Sequence, residues 1–188
     1  ASTFNTRGFT LSAWVWMHRD YDLADGRLFD KSEGPNGENG FHLSISSNGA
    51  LDFRVNARER KGIINAVPEE VWTLVTMTFD ERNIMYYING ERKAVIENDN
   101  DISDISTNAP LAIGNRLGGG FPFNGYMEEI RIYDFVINPI QARELYENPV
   151  DDTKFYKRFD VLGNPIGNGV YASRGSLINA SEAEIIGS

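Results

Sequence analysis

Phe121 to Tyr146 reads FPFNGYMEEIRIYDFVINPIQARELY. An Asn-Gly turn, a stretch of period two and a capped helix follow one another within it. In the period-two stretch, Tyr126, Glu128, Ile130 and Ile132 share one face, and Met127, Glu129, Arg131 and Tyr133 the other. Asn138-Pro139-Ile140-Gln141 has the residues of a helix start: Asn as N-cap, Pro at the first helical position and Gln three residues after the cap. A strand feeding one short helix, near the end of a chain otherwise made of strands, is a narrow architectural statement. Glu128 falls on the face of the two isoleucines, so alternation expects its carboxylate to point inward.

Upstream, strand patterns follow one another with turn residues between them. FTLSAWVWM places Phe9, Leu11, Ala13, Val15 and Met17 on one face and Thr10, Ser12, Trp14 and Trp16 on the other. Leu28 to Lys31 is a short second strand. Phe41 to Ser46 and Leu51 to Val55 flank Ser47-Asn48-Gly49-Ala50, and Ile84 to Ile88 and Arg92 to Ile96 flank Asn89-Gly90-Glu91, both hairpin signals. WTLVTMTF over Trp72 to Phe79 is rich in β-branched and aromatic residues, and Leu111 to Gly114 is brief. Many short strands so spaced imply an all-β sandwich of two antiparallel sheets with one short C-terminal helix. No internal repeat and no linker is evident before about Asn148.

The 188 residues suffice for one sandwich with a sizeable core. A formal charge of −9 argues against a nucleic acid or an anionic membrane as partner, since both need a basic surface. No stretch is apolar enough to insert into a bilayer as a helix. The absence of Cys excludes disulfides, thiolate metal sites and a cysteine nucleophile. The abrupt start at Ala1 reads as a piece of something longer.

FTLSAWVW, LFDKSEG with GFHLSIS, VWTLVTMTFDERNIMYYINGERKA, PLAIGN and FNGYMEEIRIYDFVINPIQARELY occur in that order. Together they resemble the laminin-G-like members of the concanavalin A-like jelly-roll superfamily. The resemblance covers roughly Phe9 to Glu147 and implies a jelly-roll domain over 1–148, with 149–188 as a C-terminal extension. Such domains usually begin with a strand ahead of FTLSAWVW, and here only Ala1 to Gly8 precede it. The expectation is that part of the tail, around Phe155 to Val161, or a neighbouring chain fills that sheet edge.

The resemblance spans sugar-binding modules, protein-binding modules, spacers and some enzymes, so each candidate site stands alone. Related glucanases carry closely spaced carboxylates on one strand. Glu128 and Glu129 are adjacent, and alternation sends them to opposite faces, so the chain is expected not to be an enzyme. An inward Glu128 needs a partner: backbone N–H groups, an Arg or Lys, or a structural Ca²⁺ of the kind the resemblance implies. Glu97 to Asp104 imitates only the start of a calcium loop.

For sugars, Trp14 and Trp16 on one strand face could form a stacking strip, unless that strand is covered on both sides. Tyr21, and Phe121 and Phe123 with Asn115 and Arg116 beside Gly118-Gly119-Gly120, could form a rim of exposed loops. The same aromatics could serve as plain hydrophobic plugs. The functional expectation is a non-catalytic recognition module of a larger extracellular, cell-surface or virion protein, binding a glycan or a protein surface. The alternatives are a structural domain assembling through its open edge and tail, as a homo-oligomer or with neighbouring domains, and a divergent glycoside-active enzyme.

Overall fold

The computed structural model describes residues 7–19, 25–33, 38–56, 61–97, 105, 107–116 and 118–148, and three two-residue strands at 158–159, 165–166 and 170–171. The elements run β1 (Gly8–Met17), β2 (Gly26–Glu33), β3 (Glu38–Ile45), β4 (Leu51–Val55), β5 (Lys61–Ile63), β6 (Thr73–Asp80), β7 (Asn83–Ile88), β8 (Glu91–Glu97), β9 (Ala112–Ile113), β10 (Gly125–Tyr133), α1 (Pro139–Glu147), β11 (Arg158–Phe159), β12 (Pro165–Ile166) and β13 (Val170–Tyr171). A six-stranded sheet has the order β13-β10-β1-β6-β7-β8, and a five-stranded sheet the order β5-β4-β3-β2-β9. Every pairing within the two sheets is antiparallel. The two form a jelly-roll sandwich.

Alternation in β1 does what its sequence expects. Phe9, Leu11, Ala13, Val15 and Met17 are all buried in the core. Phe9 and Phe79 from the six-stranded sheet meet Phe41 and Phe53 from the other, with ring centroids 4.7 to 6.1 Å apart. Each such ring contributes about 1.5–3 kcal/mol by leaving water. The two Asn-Gly hairpins form: Gly49 (φ 70°) closes its turn by donating to the Ser46 carbonyl at 2.8 Å, and Asn89 (φ 50°) and Gly90 (φ 77°) take the positive dihedrals of a primed turn.

Strand β10 departs from strict alternation. Ser12 pairs with Arg131, but Trp14 pairs with Glu128, so Glu129 and Ile130 together oppose Ala13. That is a β-bulge, and Glu129 sits in the left-handed region at φ 48°. One extra residue reverses the faces. Met127, Ile130 and Ile132 pack against the core, while Tyr126 is 57% exposed and Tyr133 joins the cluster under the helix. Glu128, expected inward, pairs with Trp14 on the outer face instead. Glu129 and Arg131 are buried and ion-paired at 2.6 Å, so the bulge carries its own salt bridge.

Helix α1 begins as its sequence implies. The Asn138 side chain accepts from the N–H groups of Ile140 (2.9 Å) and Gln141 (3.0 Å), and Gln141 Oε1 accepts from Asn138 N–H at 2.9 Å. Ala142 and Leu145 then pack with Tyr87, Met85, Phe135 and Ile137 on the outside of the six-stranded sheet. Thr10 ties the approach to the helix down, its Oγ1 donating to Phe135 O and accepting from Ile137 N–H. In the tail, β11 pairs with β12 as a two-stranded ribbon of its own, and β13 lies on the β10 edge through Arg131–Tyr171 and Ile132–Val170. The stretch on that edge is therefore Val170–Tyr171, while Arg158–Phe159 lies in the separate ribbon.

Candidate functional site

Outside the five-stranded sheet, alternation aligns polar side chains because Phe29, Leu43 and Phe53 occupy the core positions between them. Arg27 is fully buried, and its guanidinium donates to Asp30 at 2.7 Å and to Asp25 at 3.2 Å. Asp30 also accepts from the Ser32 N–H and hydroxyl at 3.0 and 2.8 Å. His42, opposite Asp30 in β3, has its Nε2 4.0 Å from Asp25 Oδ1, and Arg54 lies opposite His42 in β4. Burial pulls the Arg27 pKa down, its two carboxylates push it up, and the charges of Arg54 and Arg116 lower it again. Burial likewise raises Asp30, against the opposing pull of Ser32 and Arg27. Around Arg27 stand two carboxylates and two further guanidiniums, a local excess of positive charge in a strongly acidic chain.

The loop from β9 to β10 roofs one end of this array. Gly114 N–H donates to Leu28 O, Arg27 N–H to Phe121 O, and Phe123 N–H to Gly114 O, which fixes the loop on β2. Asn115 Oδ1 accepts from the N–H groups of Arg116 (2.8 Å) and Phe121 (3.1 Å), so that oxygen shapes the loop. The Phe121 ring carries the Arg27 guanidinium 4.8 Å from its centroid and that of Arg116 at 5.4 Å, a cation–π arrangement with one buried and one half-exposed cation. Phe123 packs against the core. Of the expected rim, Asn115, Arg116 and Phe121 come together, Phe123 serves as a plug, and Tyr21 lies outside the described residues.

Trp14 and Trp16 lie on the outer face of the opposite sheet. Trp16 meets Tyr126 and His18 at 5.4 and 4.8 Å between centroids, and Trp14 meets Tyr146 of α1 at 5.6 Å. The two tryptophans and the Phe121 loop therefore serve different faces.

Glu128 and Glu129 offer no catalytic pair. The bulge, and not simple alternation, decides this: Glu129 is buried against Arg131, and Glu128 stands beside Trp14. Among the described residues no group of three acidic or imidazole side chains could hold a metal ion, and Glu128 does not have the inward setting that motivated a cation. Residues 98–104 of the acidic run lie outside the described residues. Sequence reasoning missed Asp25, Arg27 and Asp30. Their signal was present: Arg27 and Asp30 flank the apolar Leu28 and Phe29 in one strand, and Asp25 stands just before it.

A two-sheet jelly roll with a helix on one face and a polar array on the other defines a lectin-like β-sandwich domain. A laminin-G family model, described as the concanavalin A-like lectin/glucanases superfamily, matches residues 1–142, and the chain belongs to that superfamily. The adhesion G-protein coupled receptor V1 of Danio rerio is 23% identical in an alignment of 151 residues that covers 75% of this chain and only 2% of the receptor. A Bacteroides ovatus protein assigned to carbohydrate binding superposes with a TM-score of 0.60 at 20% identity, over 89% of this chain and 52% of its own. The CBM40 module of Ruminococcus gnavus IT-sialidase gives a TM-score of 0.61 at 21% identity when bound to α2,3 sialyllactose, over 74% of this chain and 83% of the module. Likeness at this level shows the fold.

Proposed function

We propose that this domain is a non-catalytic glycan-binding module of a larger extracellular protein, and that it takes acidic sugars at the outer face of the five-stranded sheet. The observation that carries the reading is the Arg116–Phe121–Arg27 stack above Asp25, Asp30 and His42. Burying that many charged groups is costly unless they hold one another, and Arg27 is held by Asp25 and Asp30 through two ion pairs while its Nε has no hydrogen-bond partner. What remains at the surface is a guanidinium on an aromatic ring. Arg116 makes no salt bridge with a described carboxylate, although its charge reaches Asp30, and a guanidinium fork suits a sugar carboxylate. The superposition on modules solved with sialyllactose supports the same ligand class, and the superfamily match supports a recognition role.

Assembly through an open sheet edge has less support. The β10 edge carries β13, and the β8 edge carries Glu91, Arg92, Lys93 and Glu97, charges of the kind that blunt edge-to-edge pairing. The test is calorimetric titration with 3′-sialyllactose and with lactose. Sialyllactose should bind at least about tenfold tighter, and Arg116→Ala should abolish that preference. Equal affinity for the two sugars in the unaltered protein would overturn the acidic-sugar reading. Release of sialic acid or of lactose during the titration would overturn the non-catalytic one.

A further inference from the structure

Four of the six Asn-Gly steps in the chain lie among the described residues, at Asn39, Asn48, Asn89 and Asn124. In three of them the polar groups are engaged. Asn39 Nδ2 donates to Glu33 Oε2 at 3.1 Å, and the Gly40 N–H donates to Asn56 Oδ1 at 2.8 Å. Asn48 Oδ1 accepts from the Ala50 N–H at 3.1 Å and from the Ser46 hydroxyl, and the Gly49 N–H donates to Ser46 O. Asn89 Oδ1 accepts from the Leu74 N–H at 2.8 Å, and Gly90 is packed against Arg143 and Tyr146 of α1. Asn124 is different. It is exposed at the foot of the β9–β10 loop, and its side-chain amide makes no hydrogen bond with a described residue. Its carbonyl accepts from the His18 N–H at 3.2 Å, one step beyond the Met17–Gly125 pair. Bonded and non-bonded pairs alternate in an antiparallel ladder, so the Gly125 N–H turns away from β1. On that other edge of β10, β13 pairs only with Arg131 and Ile132.

We infer that Asn124 is a site of spontaneous deamidation, and that it converts faster than the other three described steps. Solvent hydroxide takes the proton of the Gly125 N–H, and the nitrogen attacks Asn124 Cγ. The new N–Cγ bond closes a five-membered succinimide, the Cγ–Nδ2 bond breaks, and ammonia leaves. Water then opens the ring at either carbonyl, giving aspartate or isoaspartate. Glycine permits the attack because no Cβ crowds its nitrogen. At the other three steps the same attack must first break the hydrogen bonds described above, and each one lost slows the reaction by up to about tenfold. Conversion places a new carboxylate at the foot of the loop that carries Arg116 and Phe121, in a chain whose formal charge is already −9. The isoaspartyl form also lengthens the main chain between that loop and β10. None of this depends on which ligand the domain takes.

The test holds the full chain in mildly alkaline buffer and follows each Asn-Gly step by peptide mapping. The readout is the mass gain that accompanies exchange of an amide nitrogen for oxygen. A free peptide spanning Phe121 to Glu129 gives the rate without the fold. Asn124 should convert at least about tenfold faster than Asn39, Asn48 or Asn89, and within about tenfold of the free peptide. The rate should rise with pH, and the amide signal of His18, which donates to Asn124 O, should shift as the product accumulates. Asn124→Ser should leave the other three rates unchanged and remove the His18 shift over time. An Asn124 still intact when the free peptide has fully converted would overturn the inference. So would conversion of Asn39, Asn48 or Asn89 at the rate of Asn124.

Discussion

The two outer faces of this sandwich solve the same problem differently. Outside the five-stranded sheet, charged groups are buried and hold one another: Arg27 lies between Asp25 and Asp30 with the Phe121 ring above it. Outside the six-stranded sheet, aromatic rings lie against one another and remain partly in water. The first arrangement depends on every partner being present, because removing one leaves a buried charge unmatched. The second is a set of nearly independent contacts at the surface. Rigidity should therefore reside in the charged face and tolerance in the aromatic one.

The largest expected effect breaks the charged face. Arg27→Met leaves Asp25 and Asp30 buried without their shared cation, and should destabilise the domain by about 3–5 kcal/mol in urea denaturation. Next comes the bulge that separates the two kinds of surface on β10. Glu129→Ala strands Arg131 and should cost about 3 kcal/mol, whereas Glu129→Gly, which accepts φ 48° freely, should be about 1 kcal/mol less harmful. If Ala and Gly cost the same, the bulge is not set by backbone strain. Gly90→Ala tests the helix-covered part of the aromatic face. A Cβ there would lie 3.0 Å from Arg143 Cα and from Tyr146 Cβ at φ 77°, so a loss of about 2 kcal/mol is expected in the same assay.

A pH series sharpens the contrast further. Lys31 is buried, donates to Ala109 O at 2.5 Å, and has its pKa lowered by burial. Between that lowered value and the ordinary lysine value, the unfolded chain holds the proton and the folded chain does not. Stability from this group therefore rises with pH across that window, and below it the charged ammonium is a burden. Lys31→Met should be at least as stable as the unaltered protein at neutral pH, with the difference shrinking as the solution becomes alkaline. Tyr86 and Tyr87, which are buried, and the half-buried Tyr133 have pKa values raised by desolvation; they act in the opposite sense but are common to both proteins and cancel in the comparison. Smallest of all should be Tyr126→Ala, within about 0.5 kcal/mol on stability, because its ring stands at the surface.

Much of the fold was legible because it rests on local rules. The alternation of Phe9 to Met17, the Asn-Gly turns and the Asn138–Gln141 capping box each name their structure without help from distant residues. The orientation of Glu128 was not legible by simple alternation, since a bulge changes the face of every residue beyond it. A trace was present: the apolar residues Met127, Ile130 and Ile132 are spaced by three and then two, which a regular strand does not allow. The grouping of Asn115, Arg116 and Phe121 could be read from a Gly-rich loop. That Arg27 of a distant strand would lie on the same ring could not, because it depends on the pairing of β2 with β9 and the backbone bonds that dock the loop.

The central claim is that the charged face receives an acidic glycan. Amide chemical shifts recorded while 3′-sialyllactose is added to the ¹⁵N-labelled domain test it most directly. The account predicts saturable shifts centred on Arg54, Arg116 and Phe121, lost in Arg116→Ala while the spectrum stays folded. Saturable shifts centred elsewhere, or none at millimolar sugar, would contradict it.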